Sequence, residues 1–351
     1  MRDVAVASFA QTKYVRNQDR LTEVDMLLPV IQEAIERSGI PKREIGFTCH
    51  GSSDYLAGQS FAFVGTVDAL GAWPPIAESH VEMDGAWALY EAWVKIQCGE
   101  CDSALAFGVG RASMGKLRET LNLQLDPYTL APLGLDAISM AALQARTMID
   151  ASKITEQQMA AIAVRNRAAA KENPNAQIVG DFEIEKLLAE PYLVSPLRKH
   201  DCPPISDGVS AVVIVAGDAI GRGESKPVYI RGIDHRLDSH QLGGRDLTLS
   251  PSTKLAGDKA GVHDGPVHFA ELHAPFSHQE AILRESLALG DDVQINPSGG
   301  ALAANPMMAA GLTRIGEAAN RIASGEAGRG VAHATSGPCL QQNLVCVLEA
   351  G

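Results

Sequence analysis

The sequence predicts an α/β protein made of two similar halves, and three observations carry that prediction. Short apolar strands alternate with helical patterns along the whole chain. A helix ending "KIQCGE" (Lys95–Glu100) leads into the strand "ALAFGVG", and a helix ending "RIASGE" (Arg321–Glu326) leads into "GVAHATSG". The same order of elements surrounds both joints, which reads as a duplication around one core. Chance is the alternative, because any helix-to-strand joint favours glycine. The expected halves are residues 1–221 and 222–351, and the region from about 113 to 200 fits the repeat poorly. That region reads as an insertion in the first half and a candidate ligand lid.

Taken in order, "DVAVASFA" opens as a strand, and "TEVDMLLPVIQEAIERSG" is a helix that begins at Thr22 and stops at Gly39. "HVEMDGAWALYEAW" (His80–Trp93) reads as a strand end, a turn at Gly85 and an amphipathic helix, with Asp84 placed to cap it. "SALAFGVG" is a buried strand. Two helices follow, "AALQARTMIDAS" and "TEQQMAAIAVRNRAAAKEN", the second with a capping-box start at Thr155 and Gln158. "SAVVIVAGD" and "KPVYIRGIDH" are strands on either side of a boundary near 221–226. Beyond it come a helix over "HFAELHAPFSHQEAILRESLALG", a loop and helix in "NPSGGALAANPMMAAGLTRIGEAANRIASG", and closing strands "GVAHATSG" and "NLVCVLEA".

Composition narrows the functional classes. With 351 residues, 46% hydrophobic and 21% charged, the chain has the balance of a packed globular enzyme. A net charge of -12 argues against broad attraction to nucleic acid or anionic lipid. No apolar run approaches the roughly 20 residues of a membrane helix, and the polar N-terminus does not read as a secretory signal. Six scattered cysteines follow no disulfide framework, so a cytoplasmic setting is expected. Cys98 and Cys101 in "QCGEC" are a lone C-x-x-C at a helix end, with no second pair at a zinc spacing. No metal or other cofactor is expected.

Three stretches carry candidate chemistry. "ELHAPFSHQEA" gathers Glu271, His273, Phe276, His278 and Glu280 around a helix start, where the dipole favours a neutral imidazole able to act as base or donor. A capping or exposed histidine is the alternative, and His273 with His278 is a poor metal pair because i, i+5 splits them between helix faces. "INPSGGALAANP" is a glycine loop whose N–H groups, with Asn296 and Asn305, can cradle an oxyanion, or which simply packs closely. "HATSGPCLQQN" ends a strand at Gly337 and holds Cys339, a reactive thiol or a small buried apolar residue.

These stretches together resemble the thiolase superfamily, most closely the sterol-carrier-protein-x and lipid-transfer-protein branch. "ELHAPF" is similar to its E-L-H-D-x-F motif and "NPSGGALAANP" to its N-P-x-G-G loop. "NRAAAKENPNAQ" and "PLRKHDCPPISDGVSAVVIVAGD" resemble the branch's region after the loop insertion. The resemblance implies a five-layered αβαβα fold with a loop domain, and a dimer or tetramer acting on acyl-CoA thioesters. Coenzyme A then enters as part of the substrate.

Departures from the family pattern direct the functional reading. Glu82 stands where the family has its nucleophilic cysteine, three residues before Gly85. Cys339 is displaced from the place of the second catalytic cysteine, near Gly337, and the G-H-P histidine is missing, with Asn305 nearest. Acyl transfer needs a thiolate, whereas retro-aldol cleavage of a β-hydroxyacyl-CoA needs only a base and donors for the departing enolate. The expectation is therefore a carbon–carbon lyase for a bulky, steroid-like acyl-CoA, resembling the aldolases of bacterial steroid side-chain degradation. Such aldolases work beside a small OB-fold/zinc-ribbon acyl-CoA-binding partner. His273 is the expected base or enolate donor, Glu82 an acid/base if burial raises its pKa, and Asn296, Gly299 and Gly300 should lie near the thioester. Any tyrosine acid/base must come from the first half or a partner, since none follows Tyr229. A silent acyl-CoA-binding scaffold and an acetyl-CoA acyltransferase using Cys339 are the alternatives.

Overall fold

A computed structural model describes residues 1–73 and 75–351. In chain order its strands are β1 (Val4–Gln11), β2 (Phe47–Gly51), β3 (Glu78–Val81), β4 (Ser103–Arg111), the hairpin strands β5 (Tyr192–Val194) and β6 (Leu197–Arg198), and β7 (Asp207–Ala216). The second half adds β8 (Val228–Leu237), β9 (Phe269–Leu272), β10 (Gln294–Ile295), β11 (Arg329–Ser336) and β12 (Gln342–Ala350). Among the described residues, ten of these form one sheet in the order β10-β9-β11-β12-β8-β1-β7-β4-β2-β3.

That order is a palindrome. Outward from the centre, the first half runs β1-β7-β4-β2-β3 and the second β8-β12-β11-β9-β10, with two antiparallel pairings followed by two parallel ones in each. The halves join where β1 pairs with β8 through Ala5 and Val6.

Alternation within each strand builds the layers. Val212 and Ile214 of β7 face an inner core, while Val209, Val213 and Val215 face an outer one. In β12, Leu344, Cys346 and Leu348 point inward, and Val345 and Val347 outward. The inner core holds the helices Gly85–Gln97 and Ala310–Ala323 between the two sheet halves. Helix Glu23–Ser38 covers the first outer face; Pro251–Ala260 and Ser277–Ser286 cover the second. Five layers, αβαβα, result. The helices Ala137–Asp150 and Glu156–Ala169, within the expected insertion, also pack on the second outer core, through Ala141, Met148 and Met159.

The "KIQCGE" and "RIASGE" echo is structural. Gly99 and Gly325 each end an inner helix in the left-handed region, at φ 77° and 83°, where a Cβ would be strained. Behind each, the glutamate N–H returns to the carbonyl five residues earlier, Glu100 to Lys95 at 3.1 Å and Glu326 to Arg321 at 3.2 Å. The same residues form ion pairs, Lys95–Glu100 and Arg321–Glu326. Cys98 is the C-cap residue of its helix.

One expectation needs correcting. The helix over "HFAELHAPFSHQEAILRESLALG" is instead the strand β9 followed, after Pro275, by the helix Ser277–Ser286. Proline disfavours helical geometry in the residue before it, and Phe269–Leu272 find partners in β10 and β11. Among the described residues, no helix is long and apolar enough to cross a membrane.

Candidate active site

The turn after β3 joins the two halves. Asp84 is 3% exposed, and its Oδ1 accepts from Ala86 N–H at the start of the first inner helix, at 2.9 Å. Oδ1 also accepts from Leu312 N–H and Oδ2 from Gly311 N–H, both at 2.9 Å, at the start of the second inner helix. One carboxylate thus caps both inner helices, where their unpaired N–H groups favour negative charge. Gly85 N–H donates to Met308 O at 2.8 Å, closing the same seam.

His273 follows β9, four residues before the helix Ser277–Ser286, so burial rather than the helix dipole controls it. Desolvation lowers its pKa below the usual histidine value, against the opposing charge of Asp84. Its Nδ1 accepts from Thr335 N–H at 3.3 Å. The proton therefore sits on Nε2, which donates to Asn305 Oδ1 at 2.9 Å. The backbone N–H of Asn305 donates to Ser206 Oγ at 3.0 Å, and its side-chain Nδ2 has no hydrogen-bond partner among the described residues.

The glycine loop is held from beneath. Glu271 accepts from Ser298 N–H at 2.8 Å and Ser298 O–H at 2.7 Å, and pairs with Arg314 at 3.0 Å, with both charged groups about 2% exposed or less. Asn296, at φ 52°, accepts from Leu272 N–H at 2.6 Å and donates to Glu280 at 3.1 Å. Its side chain is thus spent on the scaffold rather than offered to a ligand. A Cβ on Gly299 (φ 101°) would meet Ala170 at 2.6 Å, and one on Gly300 (φ 61°) would meet Asn296 at 2.8 Å. At these two positions the glycines serve close packing.

A cleft of about 470 Å³ opens beside the turn, bordered by Glu82, Met83, Met308, Gly337 and Gln124–Pro127. Glu82 is exposed, and Asp54 N–H donates to it at 2.7 Å. The burial on which its acid/base role was conditional is absent; its exposed place on the cleft wall, rather than burial, is what offers this carboxylate to a ligand. Cys339 does not reach the cleft. It lies in an apolar cluster with Leu125 and Met140, its thiol donates to Met140 O at 3.4 Å, and burial pushes its pKa up to about 12. This corrects the expectation of Cys339 as a nucleophile, because a thiol so placed yields no thiolate near neutral pH. Among the described residues, no cysteine borders the cleft.

Tyr55 and His240 also line the cleft, and the motif reading missed both. Tyr55 O–H donates to Gln124 at 3.1 Å, and burial raises its pKa. The signal for Tyr55 was "HGSSDY", the C-terminal end of parallel strand β2, where α/β sheets place ligands.

Two pseudo-equivalent half-sheets, with a cleft at the start of the sandwiched helices, define the class: a pseudo-symmetric layered α/β fold. The chain belongs to the thiolase family: the thiolase N-terminal domain model matches residues 4–186. It is similar to the acetyl-CoA acetyltransferase of Methanothermobacter thermautotrophicus, 27% identical over 94% of this chain and 93% of that one. Sterol carrier protein 2 of Gallus gallus is 24% identical over 90% of this chain and 65% of its own length. Among solved structures, the Ltp2-ChsH2(DUF35) aldolase superposes with a TM-score of 0.84 at 19% identity, covering 99% of this chain and 98% of that one. These likenesses place the chain in the superfamily beside the sterol-carrier-protein branch.

Proposed function

We propose that this protein is a carbon–carbon lyase that cleaves a bulky β-hydroxyacyl-CoA by retro-aldol chemistry, without a covalent acyl-enzyme. The observation that carries this reading is the exposed carboxylate of Glu82 at the family's nucleophile position, in a cleft bordered by no cysteine among the described residues. The aldolase named among the solved structures supports it. The acetyltransferase relatives do not extend their reaction here, since the displaced Cys339 thiol is buried.

In this mechanism Glu82 takes the proton of the substrate's β-hydroxyl. The C–O bond becomes a carbonyl, the Cα–Cβ bond breaks, and its electron pair passes into the thioester enolate. Glu82 then returns the proton to Cα, so the products are a carbonyl compound and a shortened acyl-CoA. Asn305 donates through its free amide N–H to the enolate oxygen, and His273 orients that amide by holding its oxygen. Asn305 stands three residues before the cleft residue Met308, and Thr335, whose N–H donates to His273, stands just before Ser336 and Gly337.

A small OB-fold/zinc-ribbon partner belongs to the same reading, supported by the two-component name of the solved aldolase. A steroid side chain is the proposed acyl group, and a homodimer the proposed assembly. The test is release of shortened acyl-CoA from a bulky β-hydroxyacyl-CoA, with and without such a partner. Cleavage in either condition supports the lyase; acyl-CoA binding with no cleavage in both would make the chain a scaffold.

A further inference from the structure

Beside the cleft lies a second cavity of about 40 Å³, and Ser53 and Met308 border both spaces. His50, Ser52 and Ser53 line it at 2%, 6% and 5% exposure. Among the described residues, His50 Nε2, Ser52 Oγ and Arg111 Nε have no hydrogen-bond partner, while the Ser53 hydroxyl lies within reach of Tyr55. Buried polar atoms are nearly always paired, so three of them around one cavity point to an occupant.

The hydrogen bonds define what that occupant must offer. Thr66 O–H donates to Phe63 O at 2.7 Å, so across 3.1 Å its oxygen accepts from His50 Nδ1–H. The remaining nitrogen, Nε2, is then a bare lone pair. Stacking on Phe107 at a centroid distance of 4.7 Å fixes the ring. Arg111 also lines the space, and its Nε–H lacks a partner. The occupant must donate to His50 and accept from a serine hydroxyl or Arg111. A hydroxyl does both, whereas a carboxylate or ketone only accepts and offers His50 nothing. The volume exceeds the roughly 10–15 Å³ that one water requires, leaving room for a hydroxyl and the carbon that bears it.

We propose that this chamber is a specificity site for a hydroxyl group on the acyl portion of the substrate, admitted between Ser53 and Met308. The proposal rests on the acyl-CoA reading above, and a binding measurement separates the two because it needs no turnover. The probes are octanoyl-CoA and its (ω−1)- and ω-hydroxy derivatives, which lack the β-hydroxyl that cleavage needs, titrated into the full-length protein.

At least one hydroxy derivative is expected to bind about tenfold more tightly than octanoyl-CoA, the gain of one well-made hydrogen bond. The gain should vanish in His50→Phe, persist in part in His50→Gln, which keeps an acceptor, and shrink in the Ser52→Ala/Ser53→Ala pair. If His50→Phe does not fold, the serine pair carries the test. Hydroxy derivatives that bind no better than octanoyl-CoA would mean a chamber for water only, and a gain unchanged in these variants would place the hydroxyl elsewhere; either overturns the proposal. Failure of octanoyl-CoA itself to bind strikes the acyl-CoA reading and the chamber with it.

Discussion

Asp84 shows what a single carboxylate does here. It accepts three backbone N–H groups from two helices, so Asp84→Ala removes two caps at once. At about 1 kcal/mol per cap, urea denaturation should show a loss of roughly 2 kcal/mol or more. The sequence announced only one of those caps, because the other arises from a helix more than 200 residues away. For Asn305 the proposed role is chemical: Asn305→Ala should lower turnover by about 10²–10³, and a smaller change in kcat would remove it from the mechanism. His273 was singled out from its motif, but its hydrogen bond to Asn305 was not foreseen, and its lowered pKa comes from burial that no local pattern encodes. Cys339 yields the opposite expectation. Cys339→Ala should leave turnover unchanged, and thiol reagents should label that position slowly in the native protein, since burial holds its pKa near 12.

Among the elements, helices with caps were the most legible and short buried strands the least. Thr22 and Gly39 bound the helix Glu23–Ser38 as expected, and the Thr155–Gln158 capping box opens the helix Glu156–Ala169. Caps are local chemistry, visible in three or four residues. β9 was hidden because four buried residues between helical neighbours have no period of their own, and only pairing with β10 and β11 makes them a strand. β2 was missed for the same reason, and with it Tyr55. The glycine loop between β10 and the second inner helix depends on Glu271 and Arg314. Arg314→Met removes the partner of a buried carboxylate whose pKa desolvation already raises, so a destabilisation of about 3–5 kcal/mol is expected in urea denaturation. A loss below about 1 kcal/mol would mean that the pair does not hold the loop.

At the scale of the whole molecule, the palindromic sheet makes two halves share one inner core, and acid should expose that dependence. His50, His278 and His333 are buried, and desolvation lowers each pKa to about 3. At pH above about 6.5 all three are neutral in both folded and unfolded chains. Below it the unfolded chain binds protons that the native one refuses, so stability falls until about pH 3. Each histidine contributes up to about 1.4 kcal/mol per pH unit over that range. Tm measured from pH 7 to 5 should drop, and His333→Gln, which keeps a polar partner for Asn343, should flatten the slope. The duplicated organisation was legible because both inner helices end in the same glycine–glutamate chemistry. The cleft was less so, since its walls come from residues 53, 55, 82, 83, 124–127, 130, 240, 308, 336–338, 341 and 342, which only the assembled fold brings together. The central claim, cleavage without acyl transfer, is tested most directly by product analysis on a bulky β-hydroxyacyl-CoA with no free coenzyme A added. Equal amounts of carbonyl product and shortened acyl-CoA are expected, with no mass adduct on the protein and a loss of about 10²-fold or more in Glu82→Gln. Product formation only when free coenzyme A is supplied, together with an acylated cysteine, would contradict it.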